Sequence, residues 1–366
     1  MRTLERITVT GYKSIRELRD FELGDLNVLI GANGAGKSNL VSLFKLLEYL
    51  AAERLQLFVG KNGRADYLLH FGRKETNEIA IRLEFREANA EEGYGYEIKL
   101  APAIDGSLIF AAEDVLHLFS HYTKALYLGN GYNETKLSSI LPKQDIWPQK
   151  VLTTLKSLRA YHFQDTTPEA KVKQSASIYD NDSLQYDARN LAPFLFLLQT
   201  RHQTSYKRIV GTVRLVAPFF DDFVLRPDHL KPETIRLQWH HRESKDTFDV
   251  SQFSDGTLRF ICLTTLLRQP TPPDLLIIDE PELGLHPAAM ELLVEMLRSV
   301  STKSQVIIST QSVSMVNQFL PEEIIVVDRE KDESVFSRKS SKELAMWLDE
   351  YSMGELWEMN VIGGRP

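Results

Sequence analysis

A single cysteine, Cys262, stands among the 366 residues, so a disulfide framework and a cysteine-based metal site are both excluded. It falls in an apolar helical stretch with no activating partner nearby in sequence, which argues against a nucleophilic thiol. No apolar run approaches the roughly 18 residues that a membrane-spanning helix needs, and the amino terminus lacks a charged-then-apolar export signal. The expectation is a cytoplasmic protein with no membrane partner. Positive charge is in deficit, with 43 Lys and Arg against 50 Asp and Glu and a formal net charge of −7. That balance excludes a surface coated in nucleic-acid contacts, though not a local patch. The basic stretches are Arg201-His202 through Lys207-Arg208 with Arg214, His240-His241-Arg242 with Lys245, and Arg338-Lys339 with Lys342. Acidic neighbours and slight aromatic interleaving make each a better solvated face than a DNA groove. His162, His202, His240 and His241 lack the spacing and companion carboxylates of a metal cluster. Sustained heptads, internal repeats and low-complexity tracts are missing as well, so no coiled coil is expected.

What is present begins with Gly31-Ala32-Asn33-Gly34-Ala35-Gly36-Lys37-Ser38, which reads G-x-x-x-x-G-K-S. It follows the apolar run Leu26–Ile30 and precedes a helical pattern of Leu40, Leu43, Phe44 and Leu47, the strand–loop–helix setting of a phosphate-binding loop. Glycine lets consecutive N–H groups turn inward around a polyphosphate, and the following helix aims its positive end at the same anion. Lys37 is expected to reach the outer phosphates and Ser38 to ligate Mg²⁺, with Asn33 and Asn39 flanking the nucleotide. A second apolar strand, Leu275–Ile278, ends in Asp279-Glu280. In an ATPase of this type the first carboxylate holds Mg²⁺ and the second orients the attacking water.

Between these motifs lies Phe253-Ser254-Asp255-Gly256-Thr257-Leu258-Arg259-Phe260, and after them Pro281-Glu282-Leu283-Gly284-Leu285-His286-Pro287. With the opening Ile7-Thr8-Val9-Thr10-Gly11-Tyr12-Lys13-Ser14-Ile15, these segments resemble the ABC-type ATPase heads of the RecF, SMC and OLD group, in the short bacterial form without a coiled coil. The resemblance covers about residues 1–115 and 250–330, with a weaker match at residues 161–166. It implies an ATPase using ATP and Mg²⁺. It implies that Ser254 and Gly256 belong to a signature motif touching the γ-phosphate held by a second subunit, so that ATP binding completes a homodimer. It places residues 284–287 in a D-loop along that interface. From the residues alone, Ser254 or Asp255 serves equally well as a helix cap, and Pro287 as a helix start. Gln311, after the apolar strand Val306–Ile308, stands where many relatives carry a γ-phosphate histidine; it can hydrogen-bond but not carry charge. Gln164 is the candidate for the glutamine that touches Mg²⁺.

The expected fold is α/β, a P-loop ABC-type head with a mixed central sheet, an antiparallel sheet and a mainly helical inserted lobe. Residues 1–115 form the first half of the core, 116–250 the lobe, 251–335 the second half and 336–366 a tail. Alternation at Ile79, Ile81, Leu83 and Phe85, and at Tyr94, Tyr96, Ile98 and Leu100, predicts two half-buried antiparallel strands. The polar segment 171–187 reads as a loop. Fewer than forty residues follow Asp328, too few for a nuclease domain of roughly 100 residues. Any cutting of nucleic acid is therefore expected from a separate effector, a nuclease or toxin, as in bacterial anti-phage systems. The alternative is a RecF-like repair ATPase, with nucleic acid itself the partner. A transporter motor subunit fits less well, because the signature departs from Leu-Ser-Gly-Gly-Gln. In the tail, Trp347, Leu356 and Trp357 are expected to pack onto the head or onto a partner.

Overall fold

The computed structural model describes residues 2–87, 92–140 and 146–365, so Pro366 of the tail lies outside it. The chain divides into two compact units: residues 1–160, 273–277 and 303–366, and residues 161–272 with 278–302.

The first unit carries two six-stranded sheets. One runs Glu333–Ser337, Ile324–Glu330, Leu26–Ile30, Gln305–Ser309, Leu275–Asp279 and Leu158–Tyr161 in spatial order; the ends of the last two strands pass into the second unit. Leu26–Ile30 pairs in parallel with Gln305–Ser309 on one side and Ile324–Glu330 on the other. All five of its residues are buried, as a central parallel strand requires. The other sheet is antiparallel and contains Ile79–Glu87 and Gly93–Pro102. Its register sets Ile81 opposite Ile98 and Leu83 opposite Tyr96. The alternating residues Ile79, Ile81, Leu83 and Phe85 all face a core filled by the helix Lys37–Ala51.

This sheet continues through Thr123–Gly129, beyond the 115/116 boundary drawn from sequence, and the helix Trp147–Ser157 packs on the same core. Signal was weak there because Thr123–Gly129 is a half-exposed edge strand without clean alternation.

The second unit holds the helices Leu191–Arg201 and Gln203–Val216, the three-stranded sheet Phe220–Val224, Gln238–His241 and Thr247–Asp249, and the helices Asp255–Arg268 and Pro287–Ser301. The segment read as a polar loop is pinned by the fully buried Asn190, whose amide donates to Asp180 O and Ser183 O at 2.9 and 2.8 Å and accepts from Gln185 N–H at 2.8 Å. An aromatic cluster fills the lobe, and Trp239 stacks on Phe253 with centroids 4.6 Å apart, directly before Ser254.

Burial pushes the Cys262 thiol up to about 12. The native protein is therefore expected to resist iodoacetamide at pH 8 and to react only once unfolded. Rapid native labelling, read by mass spectrometry, would contradict this.

Candidate functional site

In the first unit the loop from Gly31 to Gly36 is shaped by glycines that no other residue could replace. Gly31 has φ +152°, and a Cβ there would sit 2.1 Å from Val327 O; Gly36 has φ +120°, and a Cβ there would overlap Ser334 Oγ. Gly36 occupies the N-cap position of Lys37–Ala51, no side chain caps the first turn and no acidic residue sits in it. The N–H groups and dipole of this helix end are therefore directed at whatever anion the loop cradles, which suits a polyphosphate. Lys37 is buried, and its Nζ donates to Gly31 O at 2.5 Å and Ala32 O at 3.1 Å. Asn33 and Ser38 are exposed at the loop.

Braces not legible in the motif hold this loop. Ser334 Oγ donates to Ala35 O at 2.5 Å and hydrogen-bonds Ser14 Oγ at 2.6 Å; Asn39 Nδ2 donates to the same Ser14 oxygen at 2.6 Å. Asn39 thus reaches the loop by way of Ser14. Arg329 donates to Gly34 O at 3.2 Å. Gln311 follows the buried pair Ser309-Thr310 and is exposed, and Ser312 caps the short helix behind it.

The second unit brings together the other candidates. Gln164 Nε2 donates to Glu280 Oε2 at 3.2 Å, so the candidate glutamine touches the expected water-orienting carboxylate. Glu280 has φ +46°, a left-handed conformation that costs a non-glycine residue about 1 kcal/mol. Strain of that kind concentrates at functional sites. His162, which sequence sets outside any metal cluster, has Nδ1 3.9 Å from Asp279 Oδ2. Phe163, Gln164, Arg259, Leu263, Asp279 and Glu280 line one small cavity.

Arg259 is the residue that sequence reasoning quoted without giving it work. From the signature helix its guanidinium donates to Gln164 O at 2.8 Å, Thr166 Oγ1 at 3.4 Å and Leu283 O at 3.0 Å. It ties three chain segments, 164–166, 259 and 283, into one piece. Gly256 is required beside it, because a Cβ there would lie 2.3 Å from Gly284 O. Ser254 is the helix N-cap, its Oγ accepting from Thr257 N–H at 3.2 Å, and Pro287 does start its helix with His286 as cap. Arg259→Ala is expected to slow ATP hydrolysis about thirtyfold, the equivalent of about 2 kcal/mol for charged hydrogen bonds whose loss lets Gln164 drift from Glu280. Steady-state phosphate release measures it, and wild-type turnover would show that the clamp has no bearing on chemistry.

Among the described residues no cluster of three or more His, Cys, Asp or Glu could hold a metal by itself. No helix among them is long and apolar enough to cross a membrane.

Residues 26–317 match the profile of the family described as "AAA domain, putative AbiEii toxin, Type IV TA system". The energy-coupling factor transporter ATP-binding protein EcfA2 of Staphylococcus aureus strain USA300 is 28% identical over 127 residues, 34% of this chain and 42% of that protein's length. This chain therefore spans less than half of that relative. In fold it is similar to the SMC head bound to the C-terminal winged-helix domain of ScpA, with TM-score 0.61 and 15% identity over 94% of this chain and 99% of that one. It is similar also to an SMC head with an extended coiled coil bound to the ScpA C-terminal domain, derived from Pyrococcus furiosus, with TM-score 0.59 and 13% identity over 96% and 99%. Its fold is similar to that of an SMC head, and since the family profile covers most of the sequence, the chain belongs to this AAA-domain family.

Proposed function

We propose that the protein is an ATP-driven switch in which two copies close head to tail on two nucleotides and control a separate effector, a nuclease or toxin, in bacterial anti-phage defence. In this reading Gly31, Asn33, Gly34, Gly36, Lys37, Ser38 and Asn39 hold one ATP. Ser254 and Gly256 reach the γ-phosphate on the opposite subunit. Ser38 would offer Mg²⁺ a hydroxyl, and Asp279 and Gln164 would offer it oxygen donors; the ion would supply charge neutralisation at the phosphates. Glu280 orients water and accepts its proton, while Gln311 hydrogen-bonds the γ-phosphate or the water without changing charge.

The observation that carries the reading is the surface at the start of the signature helix. Ser254 and Asp255 are exposed, as are Leu283, Gly284, His286 and Pro287. Arg259 and the Gly256–Gly284 contact hold the two stretches together as one rigid edge. The first turn here carries a serine cap and the carboxylate of Asp255, which Lys173 Nζ faces at 3.8 Å; held stiff from behind, the exposed Ser254 hydroxyl is suited to meeting a phosphate presented by another molecule. The family's description mentions a toxin system, and the SMC head was captured with a protein domain bound, both of which favour a protein partner here.

The test is affinity purification of the Glu280→Gln protein from its host with ATP, followed by mass spectrometry and nuclease treatment. A stoichiometric protein partner resistant to nuclease is expected. Nucleic acid alone, bound with a steep salt dependence, would move the assignment to a RecF-like repair ATPase.

A further inference from the structure

We infer that residues 353–364 are a clasp that sets the phosphate loop for nucleotide, with Gly364 as its positioning residue and Trp357 as its anchor. The inference rests on the reading of residues 31–38 as the nucleotide site. Every contact it uses lies within the first unit.

Leu356 and Trp357 are fully buried, whereas Trp347, the other tryptophan of this region, is 45% exposed. The Trp357 indole N–H donates to Gly364 O at 2.5 Å, which folds the intervening residues 358–363 back on themselves. Gly364 N–H in turn donates to Asp328 Oδ2 at 3.1 Å, at the end of the strand beside Leu26–Ile30. The approach this produces is close. A Cβ at Gly364 would lie 2.7 Å from Val326 Cγ1 and 3.3 Å from both Gly31 Cα and Val327 O, and its φ is +61°. Gly31 is itself pressed against the same Val327 O, which a Cβ there would meet at 2.1 Å. The entry to the loop is thus gripped between one strand and a two-glycine turn, and it has no side chain of its own with which to hold position.

The clasp's far end is equally close-packed. Gly354 N–H donates to Asn317 Oδ1 at 2.6 Å, and a Cβ on Gly354 would meet Asn317 Oδ1 at 2.5 Å and Val313 O at 2.7 Å. Val313–Val316 is the short helix that follows Gln311-Ser312. One segment, anchored by the buried Met353, Gly354, Leu356, Trp357, Ile362 and Gly364, therefore spans from the helix behind Gln311 to the first glycine of the phosphate loop. A stretch whose only task was to fill the core would need the buried Leu356 and Trp357. It would not need two glycines and a tryptophan N–H committed to one turn against Gly31. Phosphate binding depends on N–H groups held in advance, so loosening this grip should cost nucleotide affinity rather than the chemical step.

The experiment compares Gly364→Ala, Asp328→Ala, Asp328→Asn and Lys37→Ala with wild type, by titration with a fluorescent ADP analogue, by steady-state ATP hydrolysis and by thermal unfolding without nucleotide. Gly364→Ala inserts the colliding methyl; Asp328→Ala removes the acceptor from an exposed position where folding is not at stake. Both are expected to raise the dissociation constant and KM by about tenfold while kcat at saturation stays within about twofold. Asp328→Asn, which keeps an acceptor, is expected to retain near wild-type affinity. Wild-type affinity in Asp328→Ala and in any folded Gly364→Ala protein, alongside lost binding in Lys37→Ala, would overturn the clasp and leave the nucleotide site standing. Unchanged binding in Lys37→Ala would overturn both.

Discussion

Replacing Glu280 by glutamine is expected to lower ATP turnover by about 10²–10⁴-fold while leaving ATP binding intact, and to convert a transient dimer into one that survives gel filtration with ATP. The amide is nearly isosteric with the carboxylate, so the hydrogen bond from Gln164 Nε2 at 3.2 Å keeps an oxygen acceptor and the left-handed backbone at residue 280 is undisturbed. What disappears is the negative charge that, in the proposed function, orients a water and takes its proton. Binding and chemistry thereby separate, and the ATP-bound state accumulates because it forms at its usual rate and decays slowly. Phosphate release and light scattering during gel filtration, with and without ATP, read the two effects together. Turnover within a few fold of wild type would remove Glu280 from the reaction and send the search to His162, 3.9 Å from Asp279, as the proton acceptor. A large loss of turnover with no ATP-dependent dimer would retain the assignment of Glu280 and discard the head-to-tail switch.

The parts of this site legible in sequence are those whose chemistry is local. Eight consecutive residues suffice for a phosphate loop because glycine conformations and a helix end do the binding, and two adjacent carboxylates after an apolar strand need no distant partner to be noticed. Arg259 was in plain view inside the signature, yet its partners Gln164 and Thr166 are separated from it by more than ninety residues. Nothing in a single sequence announces such a pairing. Ser14 and Ser334 are farther apart still, and each looks like an ordinary surface serine until both are found beside Gly36. Gly364 is hidden for the same reason: its importance lies in what a missing Cβ would strike. The edge strand Thr123–Gly129 escaped notice for a different reason, since half-exposed edge strands carry little periodic signal.

Lys37→Ala is expected to weaken nucleotide binding by two orders of magnitude or more, the largest single effect on affinity in the molecule. The Nζ group is buried and already within hydrogen-bond distance of two loop carbonyls, Gly31 O and Ala32 O. Taking a lysine charge out of water is costly, so a buried ammonium is held where acceptors and opposite charge can reach it. A phosphate offers the ammonium a full counter-charge where it stands. Charged hydrogen bonds of that kind contribute about 1.5–3 kcal/mol each, so losing two of them at a buried site amounts to about 10²–10⁴ in dissociation constant. Alanine also leaves both carbonyls without their donor, which adds loop disorder to the loss of charge. Because Lys37 is buried, melting without nucleotide is measured beside binding, so that a loss of fold is distinguished from a loss of affinity. Nucleotide protection against unfolding is the decisive readout. A saturating ligand present at about a hundred times its dissociation constant stabilises a folded protein by about 2.7 kcal/mol. Wild type should show that shift with ATP and Mg²⁺, whereas Lys37→Ala should show almost none at the same concentration. A full shift in the variant would place the nucleotide somewhere other than the Gly31–Ser38 loop.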